Sequence, residues 1–233
     1  MADENLTILS AGAPQTGVLA CAEAFCAVTG VTFDARFATA PVLRAEVESG
    51  GVSDDVINAP VPVQADFEKA GRIAAGSIVP IGSIHAAVVV PSALPDPDIS
   101  TRDALIDALR AADRVVYNTA SSGQYIVDMI EGLGLSAAIE AKTVRVPSAS
   151  AVMETLAGMA KENAIGFGQT TAIRRLEHLG VRLVGPLPGD LDKVTTYAAA
   201  LNAQAASPAL GQRFLDFLKG KAAAALLAQT GME

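Results

Sequence analysis

The stretch that decides the fold runs Ala164-Ile165-Gly166-Phe167-Gly168, then Val181-Arg182-Leu183-Val184-Gly185-Pro186-Leu187-Pro188, then Val194-Thr195-Thr196-Tyr197-Ala198-Ala199-Ala200. These short apolar runs, bounded by Gly and Pro, read as strands. A helix over Ser207 to Leu218 and a terminal helix ending near Gly231 follow. The opening Leu6–Ser10 also reads as a strand, and Ala11-Gly12-Ala13-Pro14 turns it into a helix over Gln15–Thr29. That helix carries apolar spacing through Val18, Ala22, Phe25 and Cys26. Pro14 suits its first turn and Gly30 its stop.

Working outward, strand and helix signals alternate. Val31–Ala38, Asp55–Ala59, Ile84–Val90, Val115–Asn118 and Thr143–Val146 read as strands. Pro41–Ser49, Asp66–Ala70, a segment reaching Ala112, Gln124–Leu133 and Ser150–Lys161 read as helices. Ser100-Thr101-Arg102-Asp103 resembles a capping box with Asp in the Glu position. The run after His85, Ala86-Ala87-Val88-Val89-Val90, lacks alternation, which marks a strand covered on both faces. This order predicts an α/β protein with mostly parallel, doubly wound sheets.

Composition narrows the function. The 233 residues are 51% hydrophobic and 18% charged, enough for a packed core in one large domain or two small ones. There is no Trp, so a sugar site built on stacked Trp is excluded. The net charge is −8 with no Lys/Arg block, which argues against a nucleic-acid partner. No run reaches the ~18 apolar residues of a membrane span, so direct membrane insertion is not expected. Met1-Ala2-Asp3-Glu4-Asn5 is acidic and leads straight into a strand. As written this reads as a cytoplasmic protein; the alternative is a periplasmic one whose signal was removed. Cys21 and Cys26, about 140° apart around a helix, are poorly placed to bond to each other. Two histidines and two cysteines without ligand spacing give no metal site and no cofactor motif.

Ile8-Leu9-Ser10-Ala11-Gly12-Ala13, Gly51-Val52-Ser53-Asp54-Asp55-Val56-Ile57, the Ser121-Ser122-Gly123 turn, and Phe214-Leu215-Asp216-Phe217-Leu218 with Leu227 and Gly231 carry a resemblance. In this order the chain resembles the type II periplasmic solute-binding proteins, in the molybdate-binding-like branch. The resemblance covers nearly the whole chain. It implies a two-lobed clamshell, with doubly wound sheets joined by two crossing strands near Ser83–Val88 and Val194–Ala199. Lobe 1 would be residues 1–82 plus 198–233, and lobe 2 residues 83–197. Molybdate binders of this branch place hydroxyls at the first two helix starts and a Tyr late in lobe 2. Here Ala13, Ala40 and Gly168 stand at those places, so molybdate is not expected to bind tightly. The chain is closer to a divergent subgroup similar to aconitate isomerase.

Ligands of open α/β sheets bind beyond the carboxyl ends of strands. That rule selects Ser10, Gly12 and Ala13 after the first strand, Thr39 after the second and Asn58 at the third. In lobe 2 it selects Ser121, Ser122 and Gly123, where a helix start forms a small anion nest, and Gln169. Three of these places also have a plain structural alternative: a tight turn at Gly12, a helix cap at Thr39 and a helix cap at the Ser121–Gly123 turn. His85 is a structural, hydrogen-bonded histidine or a base. The expected function is binding of a small organic anion, a carboxylate, with a membrane transporter as partner if the protein is exported. The alternative is isomerisation of a small unsaturated carboxylic acid, with His85 as catalytic base.

Overall fold

The computed structural model describes residues 4–119 and 121–233. The chain divides into two compact units. Unit 1 comprises residues 1–84 and 195–233, and unit 2 residues 85–194. Two strands carry the unit boundaries: β4 (Val79–Pro91) and β9 (Val194–Leu201).

Unit 1 is built on β1 (Asn5–Ala11), which pairs in parallel with β2 (Thr32–Ala38) and β3 (Val56–Pro60). β9 then adds antiparallel to β3, with Asn58 opposite Ala199. A strand that returns from elsewhere in the chain need not keep the parallel sense that β-α-β crossovers impose. Helix α1 (Gln15–Thr29) packs on β1 together with α9 (Pro208–Leu218) and α10 (Lys221–Gln229). Phe25, Phe214 and Phe217 form an aromatic cluster there, Phe25 meeting Phe214 edge-on at 5.4 Å. Helices α2 (Ala40–Ser49) and α3 (Val61–Lys69) pack against β1 and β3 respectively. Cys21 is buried and Cys26 half-buried, both free, and burial pushes the Cys21 thiol up to about 11.

Asp55 is a fully buried carboxylate that ties unit 1 together. Its Oδ2 accepts from the backbone N–H and the hydroxyl of Thr7, both at 3.0 Å, and its Oδ1 from the Ser207 N–H at the start of α9. A buried carboxylate is tolerable only when its oxygens are paired in this way.

In unit 2, α4 (Arg102–Ala111), β5 (Arg114–Asn118), α5 (Ser121–Gly132), α6 (Ser136–Ile139), β6 (Thr143–Val146) and α7 (Ala149–Ala157) follow β4 in the chain. Then come β7 (Ala164–Gln169), α8 (Thr170–Leu176) and β8 (Val181–Pro186). β5 pairs in parallel with β6 and β7, while β7 and β8 pair antiparallel with β4. Val88 and Val90 of β4 enter a core with Val115, Tyr117, Ile165 and Phe167. Ala87 and Val89 enter a second core with Val116, Val152 and Leu156. Alternate side chains point to opposite faces of a strand, so two covered faces explain the unbroken apolar run.

Several elements differ from the sequence expectation. β4 begins at Val79 rather than Ile84. The short helix expected over Asp66–Ala70 begins at Val61, directly after β3, because Pro60 and Pro62 pre-set a backbone suited to a helix start. The cap of α4 is Thr101, whose hydroxyl accepts from the Ala104 N–H at 3.1 Å; the Ser100 N–H turns back to Asp98 instead.

Candidate functional site

In unit 1 the β1-to-α1 junction leaves an open approach to backbone. Gly12 is exposed, and its N–H donates to the Ala38 carbonyl at 3.1 Å. A Cβ built there would meet only that same oxygen, 3.9 Å away. Ala13 is half-buried. No side chain caps α1, whose N-cap is Pro14. Ser10 is buried and donates its hydroxyl to the Ala11 carbonyl at 2.9 Å.

Thr39 is exposed at the N-cap of α2 with extended backbone, yet its side chain makes no capping bond. A capping hydroxyl accepts from the second or third helical N–H; Pro41, the second residue, has none, and the Thr39 side chain does not take the N–H of the third, Val42. The start of α2 is thus another uncapped helix N-terminus, where unpaired N–H groups and the helix dipole favour negative charge.

Asn58 is placed inside unit 1. It is 1% exposed, and both of its amide atoms lack a partner. It lines a cavity of about 10 Å³ with Ile8, Val18, Ile81, Phe214 and Leu227. That volume is near the lower limit for one water molecule.

In unit 2 the β5-to-α5 junction contains Gly123, which is buried. A Cβ there would run into the Asn118 carbonyl oxygen. Ser121 and Ser122 form the first turn of α5, and their side chains lie outside the described residues. Gln169 ends β7 opposite Ala86, half-buried, and makes no capping bond to α8.

His85, the first residue of unit 2, has Nδ1 2.6 Å from Asp192 Oδ2. Their side chains are 13% and 21% exposed. A carboxylate only accepts, so His85 donates through Nδ1–H, and in the neutral ring Nε2 carries the lone pair. Asp192 Oδ1 is buried without a partner. One residue away, the Leu191 carbonyl accepts from the Tyr125 hydroxyl at 2.7 Å, and Tyr125 belongs to α5. Burial, with the charges of Asp192 and Asp190 adding, raises the Tyr125 pKa above its ordinary value. Lys193 Nζ lies 5.8 Å from the Tyr125 ring centroid. His85, Asp192, Tyr125, Lys193 and the start of α5 therefore belong to one neighbourhood of unit 2.

Asp192 and Tyr125 were not legible as site residues in the sequence. The available signal was the polar turn Pro188-Gly189-Asp190-Leu191-Asp192-Lys193 just ahead of β9. Among the described residues, no cluster of three or more His, Cys, Asp or Glu is placed to hold a metal ion, and no helix is long and apolar enough to cross a membrane.

Residues 6–233 match the family model described as bacterial extracellular solute-binding protein. The chain belongs to that family. Among solved structures, this solute-binding protein is similar to a substrate-binding domain assigned to a molybdenum ABC transporter from Clostridium difficile. That match has a TM-score of 0.78 and 13% identity, and covers 98% of both chains. The periplasmic molybdate-binding protein of Azotobacter vinelandii matches with a TM-score of 0.71 at 17% identity, again over 98% of both chains. These likenesses identify the fold as that of the type II periplasmic binding proteins. In sequence, the protein is 26% identical to an aconitate isomerase from a Pseudomonas species, over 98% of this chain and 87% of the relative. The family is one of extracellular proteins, which supports the periplasmic rather than the cytoplasmic expectation.

Proposed function

We propose that this solute-binding protein binds a small organic anion by its carboxylates, and that each unit offers a helix start suited to one: the β1-to-α1 junction around Gly12 and Ala13 in unit 1, and the Ser121–Gly123 turn in unit 2. The observation that carries this reading is the uncapped, open start of α1 beside Gly12. A helix N-terminus approached through glycine is suited to a carboxylate. Thr39, at the uncapped start of α2, adds a hydroxyl in unit 1, and Gln169 adds an amide in unit 2. An organic acid is favoured over a metal oxyanion because Ala13, Ala40 and Gly168 have no side-chain hydroxyl to replace an oxyanion's hydration. The 26% identical relative, named for aconitate, points to the same chemical class. The family is described as extracellular, which fits export, and delivery of the ligand to a membrane ABC transporter, of the kind named for the Clostridium difficile structure, completes this reading.

Calorimetry with citrate, cis-aconitate, trans-aconitate, sulfate and molybdate tests it. At least one of the carboxylates is expected to bind, and molybdate is expected not to bind with submicromolar affinity. Tight molybdate binding without carboxylate binding would overturn the proposal.

A second reading is an isomerase of a small unsaturated carboxylic acid. It is favoured by the same relative and by the histidine–aspartate contact at His85. A transport receptor returns its ligand unchanged, so conversion of trans-aconitate to its cis isomer separates the two readings.

A further inference from the structure

β2 is the edge strand of unit 1: it pairs with β1 and, among the described residues, with no other strand. Two hydrogen bonds show which of its backbone groups are used. At one end the Thr32 N–H donates to the Glu4 carbonyl at 3.0 Å, and at the other the Ala38 carbonyl accepts from the Gly12 N–H at 3.1 Å. In a parallel pair the N–H and C=O of one residue point to the same side of the strand, and successive residues alternate. With Asn5 opposite Thr32 and Ala11 opposite Ala38, the backbones of Thr32, Asp34, Arg36 and Ala38 turn to β1. Those of Phe33, Ala35 and Phe37 turn away from it. An unpaired row of this kind is a template for another strand.

The row is self-complementary, because Phe33-Asp34-Ala35-Arg36-Phe37 carries matching partners at equal distances from Ala35. We propose that two copies of this chain form a twofold dimer in which their β2 edges pair antiparallel about Ala35. In that register Ala35 faces Ala35, and Phe33 faces Phe37 of the second copy. These are the residues with outward backbone, so each facing pair exchanges two hydrogen bonds. Phe33, Ala35 and Phe37 are half-buried, and Phe33 and Ala35 pack against the core of unit 1. The facing phenylalanines extend that apolar face across the contact. Asp34 and Arg36 are exposed on the opposite face. They fall in the non-hydrogen-bonded pairs, where side chains come closer, and each Asp34 meets Arg36 of the second copy. The contact is isologous, as a closed dimer requires.

Charges on an edge strand commonly prevent pairing. Here they select a register. An axis through Asp34 or Arg36 would set like charges face to face and turn the free backbone groups away from each other, and an axis through Phe33 or Phe37 would shorten the paired segment. In its own chain Asp34 accepts from the Asn5 amide at 2.9 Å and makes no ion pair among the described residues. Arg36 is held by Asp54 and Glu46 through Nε, Nη1 and Nη2, which leaves one N–H on each terminal nitrogen. Its head is already ordered when a carboxylate arrives, so little further freedom is lost. Backbone and phenylalanine contacts supply the affinity, while the exposed charge pairs exclude wrong registers.

Analytical ultracentrifugation of the full chain tests this, with an unfolding midpoint taken for each variant. Wild type is expected to sediment at twice the mass of one chain at about 100 μM. Ala35→Pro removes the central outward N–H, which an edge strand tolerates, and is expected to be monomeric with a midpoint near wild type. Asp34→Arg and Arg36→Asp each set like charges face to face, and each is expected to weaken the dimer about tenfold or more. An equimolar mixture of those two variants is expected to regain the dimer, because their strands complement each other. Wild type that stays monomeric up to about 1 mM would overturn the proposal. A dimer that Ala35→Pro and Asp34→Arg leave unchanged would overturn it too, by placing the contact elsewhere. A mixture no more dimeric than its components would overturn the pairing of Asp34 with Arg36. If Ala35→Pro does not fold, Asp34→Arg decides alone, since it changes an exposed side chain.

Discussion

The β1-to-α1 junction of unit 1 and the β5-to-α5 junction of unit 2 both carry a glycine, for different reasons. At Gly12 a methyl group would have room, its nearest neighbour being the Ala38 oxygen at 3.9 Å. At Gly123 the same methyl would overlap the Asn118 carbonyl. Gly12 keeps backbone open to approach from outside, whereas Gly123 lets the turn close on itself. A second pair sharpens the contrast. Thr39 and Thr101 each occupy a helix N-cap with extended backbone, but only Thr101 caps its helix. Each helix has a third N–H in reach of a cap, that of Ala104 after Thr101 and that of Val42 after Thr39, and only Thr101 takes it; Pro41 removes the second N–H alone. Residue type at a strand-to-helix junction therefore does not reveal whether the junction is closed for structure or left open for a ligand.

The largest expected effect breaks this comparison at Gly123. Gly123→Ala should destabilise the protein by about 3 kcal/mol or more, because the obstacle is backbone rather than a movable side chain. Thermal or urea unfolding measures it, and a wild-type midpoint would show that the junction is looser than described. Gly12→Val should leave the unfolding midpoint close to wild type and weaken carboxylate binding by about tenfold or more, through steric exclusion at the open junction. Unchanged affinity in calorimetry would remove Gly12 from the site.

Asn58 offers a change of opposite sign. Asn58→Leu should raise stability by about 1 kcal/mol or more, since it removes two unpaired polar groups from an apolar cavity. A loss of stability in urea titration would mean that the amide is paired in solution, by a bound water for example.

The smallest expected effects come from the two threonines. Thr101→Ala should cost about 1 kcal/mol through its lost cap. Thr39→Ala should cost no more than about 0.5 kcal/mol, as expected for a surface position that makes no cap. Equal losses in parallel unfolding curves would erase the distinction.

How much of this was readable in advance depended on the range of the interactions. The order of elements was legible from apolar runs and Gly/Pro punctuation, because these act over a few residues. The unalternating stretch Ala87–Val90 correctly implied two covered faces, as its alternate residues enter two different cores. Helix starts were less legible: the α4 cap fell on Thr101 rather than Ser100, and the Ser100 N–H that the capping-box pattern gives to Asp103 goes to Asp98.

By itself, the sequence determined the α/β alternation, the family resemblance, the absence of hydroxyls at Ala13, Ala40 and Gly168, and the singling out of His85. Only the tertiary structure decided that Asp192, 107 residues away, is the partner of His85. It also decided that Asn58 lies in the interior of unit 1, and that Gly12 and Gly123 differ in kind. The physical reason is that a contact between distant segments depends on how strands are ordered and aligned in a sheet. Local propensity carries almost no information about that arrangement.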